Sequence, residues 1–283
     1  MYICNKIHKN NYSLNLYKMN IVIRNPQKAE CFAALFQHVR MFTDHINIMF
    51  EKERMYLQSM DSSKVSIFEI NLPSNWFDVY EHTSVSAIPI GVNSTMLFKI
   101  LNTRDKAQEM QIIYNSGDEV DDKLYINFTS ENKSIFDKKF ELPLVDVEAE
   151  LMNIPSTESQ AELSISSANF ASIINQMQIF GDTLEINCTE ENIELHSLSQ
   201  ECGKMLVQIN IDDLTSYAIN EGENIRLSFS LNILHNICLY NKLVKDMEIH
   251  LTENYPMKII FGLDGTIENA KMTFYLAPKI NDD

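Results

Sequence analysis

Residues 46–60 read INIMFEKERMYLQSM, and residues 184–198 read LEINCTEENIELHSL. At an offset of 138, Ile46 falls on Leu184, Ile48 on Ile186, Met55 on Ile193, Leu57 on Leu195, Ser59 on Ser197 and Met60 on Leu198. Alternate positions are apolar, which is the period of a strand with one buried face. Further on, Glu69-Ile70-Asn71-Leu72 echoes Gln208-Ile209-Asn210-Ile211 at an offset of 139. Both offsets are close to half of the 283 residues. The chain therefore reads as two diverged copies of one β-rich unit.

Each copy carries two helix signals. Asn25 can cap and Pro26 sits where a missing N–H costs nothing. Phe32, Leu35, Phe36, Val39 and Phe42 then make one apolar stripe through a helix expected over 26–43. Its counterpart starts near Ser167, with Phe170, Ile173, Ile174 and Met177 as the stripe and Gly181 as the expected stop. A shorter pair starts at Asn93, capping Met96, Leu97, Ile100 and Leu101, and at Ser230, capping Leu231, Leu234 and Ile237. Strand patterns fill much of the rest: Lys64 to Leu72, Gln108 to Tyr114, Leu124 to Phe128, Asn224 to Phe229, Met247 to Leu251, Lys258 to Phe261 and Lys271 to Leu276. The fold class is α+β, two similar units of antiparallel strands with two helices on one sheet face each. The expected division is an N-terminal arm over 1–16, a first unit over 17–141, an acidic connector over 142–159 and a second unit over 160–283.

Charge divides unevenly. Residues 1–141 carry 16 Lys/Arg against 17 Asp/Glu, while residues 142–283 carry 7 against 22, for a net of −16. Such a field repels phosphate, so non-specific coating of nucleic acid is excluded. No apolar run is long enough to cross a bilayer, and Met1 to Lys18 lacks the core of a signal peptide. These features point to a soluble intracellular protein. The five scattered cysteines (Cys4, Cys31, Cys188, Cys202, Cys238) form no CxxC and read as reduced thiols.

Signs of catalysis are missing. There is no GxxxxGK[ST], GxGxxG or GxSxG, and the seven histidines make no HExxH or zinc-spaced cluster. No metal site and no cofactor are expected. The acids Asp118, Glu119, Asp121 and Asp122 read as a solvated hairpin tip, and Asp212-Asp213 likewise. Trp76 reads as a packed or partly exposed aromatic.

Two motifs carry a resemblance. Leu57-Gln58-Ser59-Met60-Asp61-Ser62-Ser63-Lys64-Val65-Ser66 closely resembles a segment of the eukaryotic sliding clamps, the proliferating cell nuclear antigen family. Phe274-Tyr275-Leu276-Ala277-Pro278-Lys279-Ile280 resembles that family's C-terminal end. Asp146-Val147-Glu148, followed by Leu151, Ile154 and Pro155, is similar to its interdomain connector with about two extra residues. Gly181-Asp182 and Ile186-Asn187-Cys188 also match, so the resemblance spans roughly residues 17–281.

The resemblance implies two similar domains per subunit and three subunits closed into a ring around duplex DNA. Ring closure would pair an edge strand near Ser134 to Leu142 with one near Gly203 to Ile211 of the neighbour, so the implied interface residues are Ser134, Phe136, Lys138, Phe140, Lys204, Leu206 and Gln208. A pocket under the connector would take partners bearing Gln-x-x-aliphatic-x-x-aromatic-aromatic. Its wall would be Met60, Val65, Ile67, Leu151, Ile154, Tyr275 and Pro278, with the Ala277 backbone near the glutamine. The acidic connector would also attract basic residues beside such motifs. The DNA-facing basic residues would be Lys28, Arg40 and Lys99.

Departures from the family pattern matter. Ala33 and Ala34 replace lysines, Ser172 and Asn175 stand where arginines are usual, Asn232 is neutral, and 163–181 holds no charge. Direct DNA contact should therefore be weak. Glu190, in Cys188 to Asn192, replaces a modifiable lysine and removes that attachment point.

The expected function is a non-enzymatic processivity clamp loaded by an ATP-driven loader, tethering DNA polymerase and other enzymes. Its expected place is the nucleus, or a viral replication compartment for a virus-encoded form. Two alternatives stand beside it. One is a clamp-like checkpoint or transcription factor working as monomer, dimer or heterotrimer. The other is a metal-dependent nuclease using Asp118, Asp121 and Asp122.

Overall fold

A computed structural model describes residues 18–115, 123–147, 151–155, 157–199, 201–265 and 269–279. The arm over 1–16 and the acids at 118–122 lie outside the described residues. The first half runs β1 (Met19–Ile23), α1 (Pro26–Gln37), β2 (His45–Phe50), β3 (Arg54–Met60), β4 (Ser66–Pro73), β5 (Val79–His82), β6 (Ile88–Asn93), α2 (Ser94–Leu101), β7 (Glu109–Tyr114), β8 (Lys123–Thr129) and β9 (Lys138–Pro143). The second repeats it: β10 (Ala161–Ser166), α3 (Ser167–Met177), β11 (Thr183–Cys188), β12 (Asn192–Ser199), β13 (Gly203–Asn210), β14 (Ser216–Ile219), β15 (Ile225–Ser230), α4 (Leu231–Cys238), β16 (Asp246–Leu251), β17 (Met257–Gly262) and β18 (Lys271–Leu276). No described helix is long and apolar enough to cross a membrane.

Every strand pairing is antiparallel. One sheet has the order β5-β1-β7-β8-β9, a second β13-β12-β11-β15. The third has nine strands, β14-β10-β16-β17-β18-β4-β3-β2-β6. It is the second half's five-stranded sheet fused to the first half's four-stranded sheet through β18 and β4, with Lys271 opposite Asn71 and Leu276 opposite Ser66. Alternation accounts for the core. Ser66, Phe68, Ile70 and Leu72 of β4 point inward, as do Ile193, Leu195 and Ser197 of β12. Phe42, Phe68, Phe261, Phe274 and Tyr240 form a chain of ring contacts across the junction of the halves.

The pairing corrects one part of the sequence reading. Met55 and Ile193 are equivalent, and their partners are Leu72 and Ile209. The β4 and β13 strands thus correspond at an offset of 137, not 139. A slip of two keeps every side chain on its own face, so alternation alone cannot detect it.

The helices form one layer. Asn25 Oδ1 accepts from Gln27 N at 2.9 Å and Lys28 N at 3.1 Å, and Asn93 Oδ1 from Met96 N at 2.9 Å. Ser230 makes no side-chain cap; Leu231 N instead donates to Asp182 O at 3.0 Å. The helix expected over 26–43 ends at Gln37 and a short 3-10 turn follows at Val39–Met41. Likewise α3 ends at Met177, before Gly181. Gly181 serves a close approach: a Cβ there would lie 2.7 Å from Leu198 O. The Tyr240 hydroxyl donates to Leu35 O at 3.1 Å and ties the end of α4 to α1. Trp76 is buried against Phe32 and Phe77.

Candidate functional site

On the outer face of the nine-stranded sheet, strand pairing places Met60, Ile67, Tyr275, Lys258, His250 and Glu162 in one row across β3, β4, β18, β17, β16 and β10. Residues 152–155 and 157–159 lie along this row and leave a groove of about 500 Å³. Ile67, Tyr275, Ile154, Pro155, Met152 and Pro256 line its apolar part. Thr157, Glu158, Ser159, Glu162, His250 and Thr252 line its polar end.

The connector is pinned at both sides of the groove. Val145 N donates to Gly91 O at 2.9 Å, an approach open only to glycine, since a Cβ on residue 91 would stand 2.0 Å from Val145 O. Gln58 then acts as a piece of backbone: Met152 N donates to its Oε1 at 2.6 Å, and its Nε2 donates to Met152 O at 3.0 Å. Glu69 fixes the orientation of that amide by accepting from Gln58 Nε2 at 3.0 Å. The same carboxylate accepts from the hydroxyls of Tyr56 at 2.6 Å and Tyr275 at 3.3 Å. Burial and then Glu69 push the Tyr56 hydroxyl pKa well above its usual value, and burial followed by Glu69 does the same for Tyr275. Both therefore stay protonated donors. At the far side Gln160 N donates to Leu251 O at 3.0 Å, and Ser159 Oγ lies 3.0 Å from His250 Nδ1.

The loop of the Leu57-to-Ser66 motif is built by Asp61. Its carboxylate accepts from Ser63 N and Val65 N, both at 2.9 Å, from Ser66 Oγ at 3.0 Å, and from Ser63 Oγ and Ser66 N. Burial opposes the charge, but these donors outweigh it and hold the pKa below the usual carboxylate range. Lys64 takes the left-handed conformation, with φ 59°. The loop thereby delivers Val65, whose carbonyl accepts from Ala277 N at 3.0 Å.

Of the residues expected in the pocket, Ile67, Ile154 and Tyr275 line the groove directly. Met60 is Ile67's neighbour in the row, and Val65, Ala277 and Pro278 are half-buried at its end. Leu151 is a correction. It is 52% exposed and lines a separate surface with Arg54, Tyr56 and Lys271, whereas Met152 lines both that surface and the groove. The Gln58 clamp holds the Met152 backbone beside the groove. Tyr255, Pro256, Lys258, His250 and Glu162 were not foreseen. Lys258, His250 and Glu162 enter through sheet pairing, which no local pattern reveals, and Tyr255 and Pro256 through the turn between β16 and β17.

Among the described residues the three sheets end in six strands, β5 and β9, β14 and β6, β13 and β15; the expected interface falls at β9 and β13. Phe140, Lys138, Lys204, Leu206 and Gln208 lie on them. Ser134 and Phe136 do not; they precede β9 in a turn where Ser134 Oγ donates to Asn132 Oδ1 at 2.7 Å, and Phe136 is 84% exposed. Among the described residues no group of three or more His, Cys, Asp or Glu is placed to hold a metal.

Comparison with known proteins agrees with this architecture. The family profile described as proliferating cell nuclear antigen, N-terminal domain, matches residues 21–151, and the one for its C-terminal domain matches residues 153–280. The proliferating cell nuclear antigen of Chaetomium thermophilum is 28% identical over 232 residues, covering 80% of this chain and 86% of that protein. The crystal structure of the Entamoeba histolytica protein superposes with a TM-score of 0.80 at 25% identity, covering 93% of this chain and all of the other.

The chain belongs to the proliferating cell nuclear antigen family.

It is a DNA sliding clamp, a polymerase processivity factor of replication and repair. Clamps of this family are non-enzymatic scaffolds that form trimers, encircle DNA and gather polymerases and other partners on it. The basic residues expected to face DNA fall on or beside the helix layer. Here Arg40 and Lys99 are exposed on it. Lys28 is not available: its Nζ donates to Trp76 O at 2.6 Å and sits 5.4 Å from the centre of the Trp76 ring. Lys242, not foreseen, joins Arg40 in lowering the pKa of His38, after burial. Exposed positions of α3 and α4 are neutral, among them Ser172, Asn175 and Asn232. They are linked through Gln176 Nε2 to Ser172 Oγ (3.1 Å), His235 Nδ1 to Asn175 Oδ1 (2.7 Å) and Gln178 Nε2 to Asn232 Oδ1 (3.2 Å).

Proposed function

We propose that three copies of this chain close head to tail by pairing β9 of one with β13 of the next, around duplex DNA. The observation that carries this is the internal junction of β18 with β4. In the repeat, β9 is the counterpart of β18 and β13 the counterpart of β4, so of the six edge strands these two are the halves of a joint the chain already makes once. Repeating that joint closes a ring when the rotation between halves is right. Transferring the β18–β4 register sets Met205 opposite Phe140, Leu206 opposite Lys139 and Lys204 opposite Glu141. The first pair is apolar and half-buried on both sides, the last is of opposite charge. The units are 17–141 and 160–283, joined by the connector over 142–159.

The groove under the connector is the docking site for partner segments of the form Gln-x-x-aliphatic-x-x-aromatic-aromatic. Ile67, Tyr275, Met152, Ile154, Pro155 and Pro256 give it apolar walls of the kind that bury such side chains. Polymerase, other DNA enzymes and an ATP-driven loader would reach the ring there, and tethering raises the local concentration of an enzyme at its template. The protein works in the nucleus and without chemistry of its own. A peptide of this form should bind the folded protein, and Ile67→Asp with Tyr275→Ala should abolish binding. Unchanged affinity in that folded double variant would remove the assignment.

A further inference from the structure

The groove holds one lysine that the docking reading does not use. Lys258 lies between Tyr275 and His250 in the row and lines the cavity, half-buried. Among the described residues its ammonium makes no ion pair and no hydrogen bond. The neighbouring charges are engaged or peripheral. Glu162 Oε1 lies 3.3 Å from His250 Nδ1, Glu248 Oε2 lies 3.4 Å from His250 Nε2, and Glu158 is exposed at the rim. A half-buried lysine without a partner gains a charge-assisted bond from an anion brought to it.

We infer that Lys258 makes the groove select a partner segment carrying one carboxylate side chain, Asp or Glu, next to its apolar anchors. This rests on the docking reading of the groove. The anchors occupy the Ile67–Tyr275 end, and the acid falls one strand further along the row, over Lys258. Two strands further it meets Glu162, and at the rim Glu158, where a carboxylate is repelled. The groove is thus charge-selective by position: acid over Lys258 is favoured, acid beyond it is not. The overall charge of −16 opposes approach of an acidic segment, so the preference resides in lifetime more than in association rate.

The test uses a neutral peptide with the motif and a series in which Glu replaces each flanking residue in turn. At one position Glu should raise affinity about tenfold, and at positions beyond it should lower affinity. Lys258→Met, which keeps the length of the chain, should erase the gain and leave the neutral peptide unchanged. Lys258→Glu should make Lys the favoured residue at the same position. Binding that Ile67→Asp abolishes but that shows no Glu gain, or a gain that persists in Lys258→Met, overturns this inference alone. Neutral-peptide binding that survives Ile67→Asp overturns the docking reading and this inference with it.

Discussion

Single residues decide where the connector lies. Asp61 replaces solvent for a whole loop, so Asp61→Asn should cost about 1–3 kcal/mol, the usual loss for a buried charged acceptor. The folded-state pKa of Asp61 is depressed, so its contribution is complete above the ordinary carboxylate pKa and is lost as pH falls through the depressed value. Acid unfolding of the wild type should therefore include this loss and that of Asp61→Asn should not; urea denaturation at two pH values measures it. Gly91 is the second such residue. Gly91→Ala should destabilise by about 1–3 kcal/mol, because the new methyl must displace the Val145 carbonyl; thermal melting reads this. The Asp61 loop was legible as a motif by resemblance, but its five incoming hydrogen bonds were not. The role of Gly91 was invisible because it depends on a segment more than fifty residues away.

At the scale of elements, strands and helix starts were readable because alternation and caps are local signals. Helix ends were less so: the stripe of α1 continues as Val39 and Phe42 on a 3-10 turn, where burial persists after the helical hydrogen bonds change. The offset of 139 failed by two for the reason that faces repeat every two residues. Connector side chains were the hardest to read, because Leu151 and Met152 are adjacent and both apolar, and the backbone clamp by Gln58 that places Met152 beside the groove comes from a distant strand. Gln58→Ala should speed hydrogen exchange at the Met152 amide by at least about tenfold, as expected when a local opening loses a net bond of about 1.4 kcal/mol. Exchange at the paired amides of β3 and β4 should stay unchanged. Equal exchange at Met152 in both proteins would mean the connector is held elsewhere.

For the whole molecule, the repeat fixed the architecture, and the pairing of strands across halves turned it into a joint that can be repeated between copies. If the proposed ring places the neutral α3 and α4 surface toward DNA, contact there is a matter of threading more than of charge. Unloaded protein should bind linear duplex weakly and with a shallow dependence on salt, and Ser172→Arg with Asn175→Arg should tighten binding and steepen that dependence. Fluorescence anisotropy over a salt series measures both. Strong binding by the wild type with a steep slope would contradict the assignment of this face.

The joint itself can be tested by chemistry. With Lys139→Cys and Leu206→Cys in a chain whose exposed thiol at Cys202 is removed by Cys202→Ser, mild oxidation should yield a covalent product that ends at three chains, about three times 32.7 kDa by mass. Either single variant should give no product larger than a dimer. A double variant that stays at one chain, while intact and folded, would contradict closure through β9 and β13.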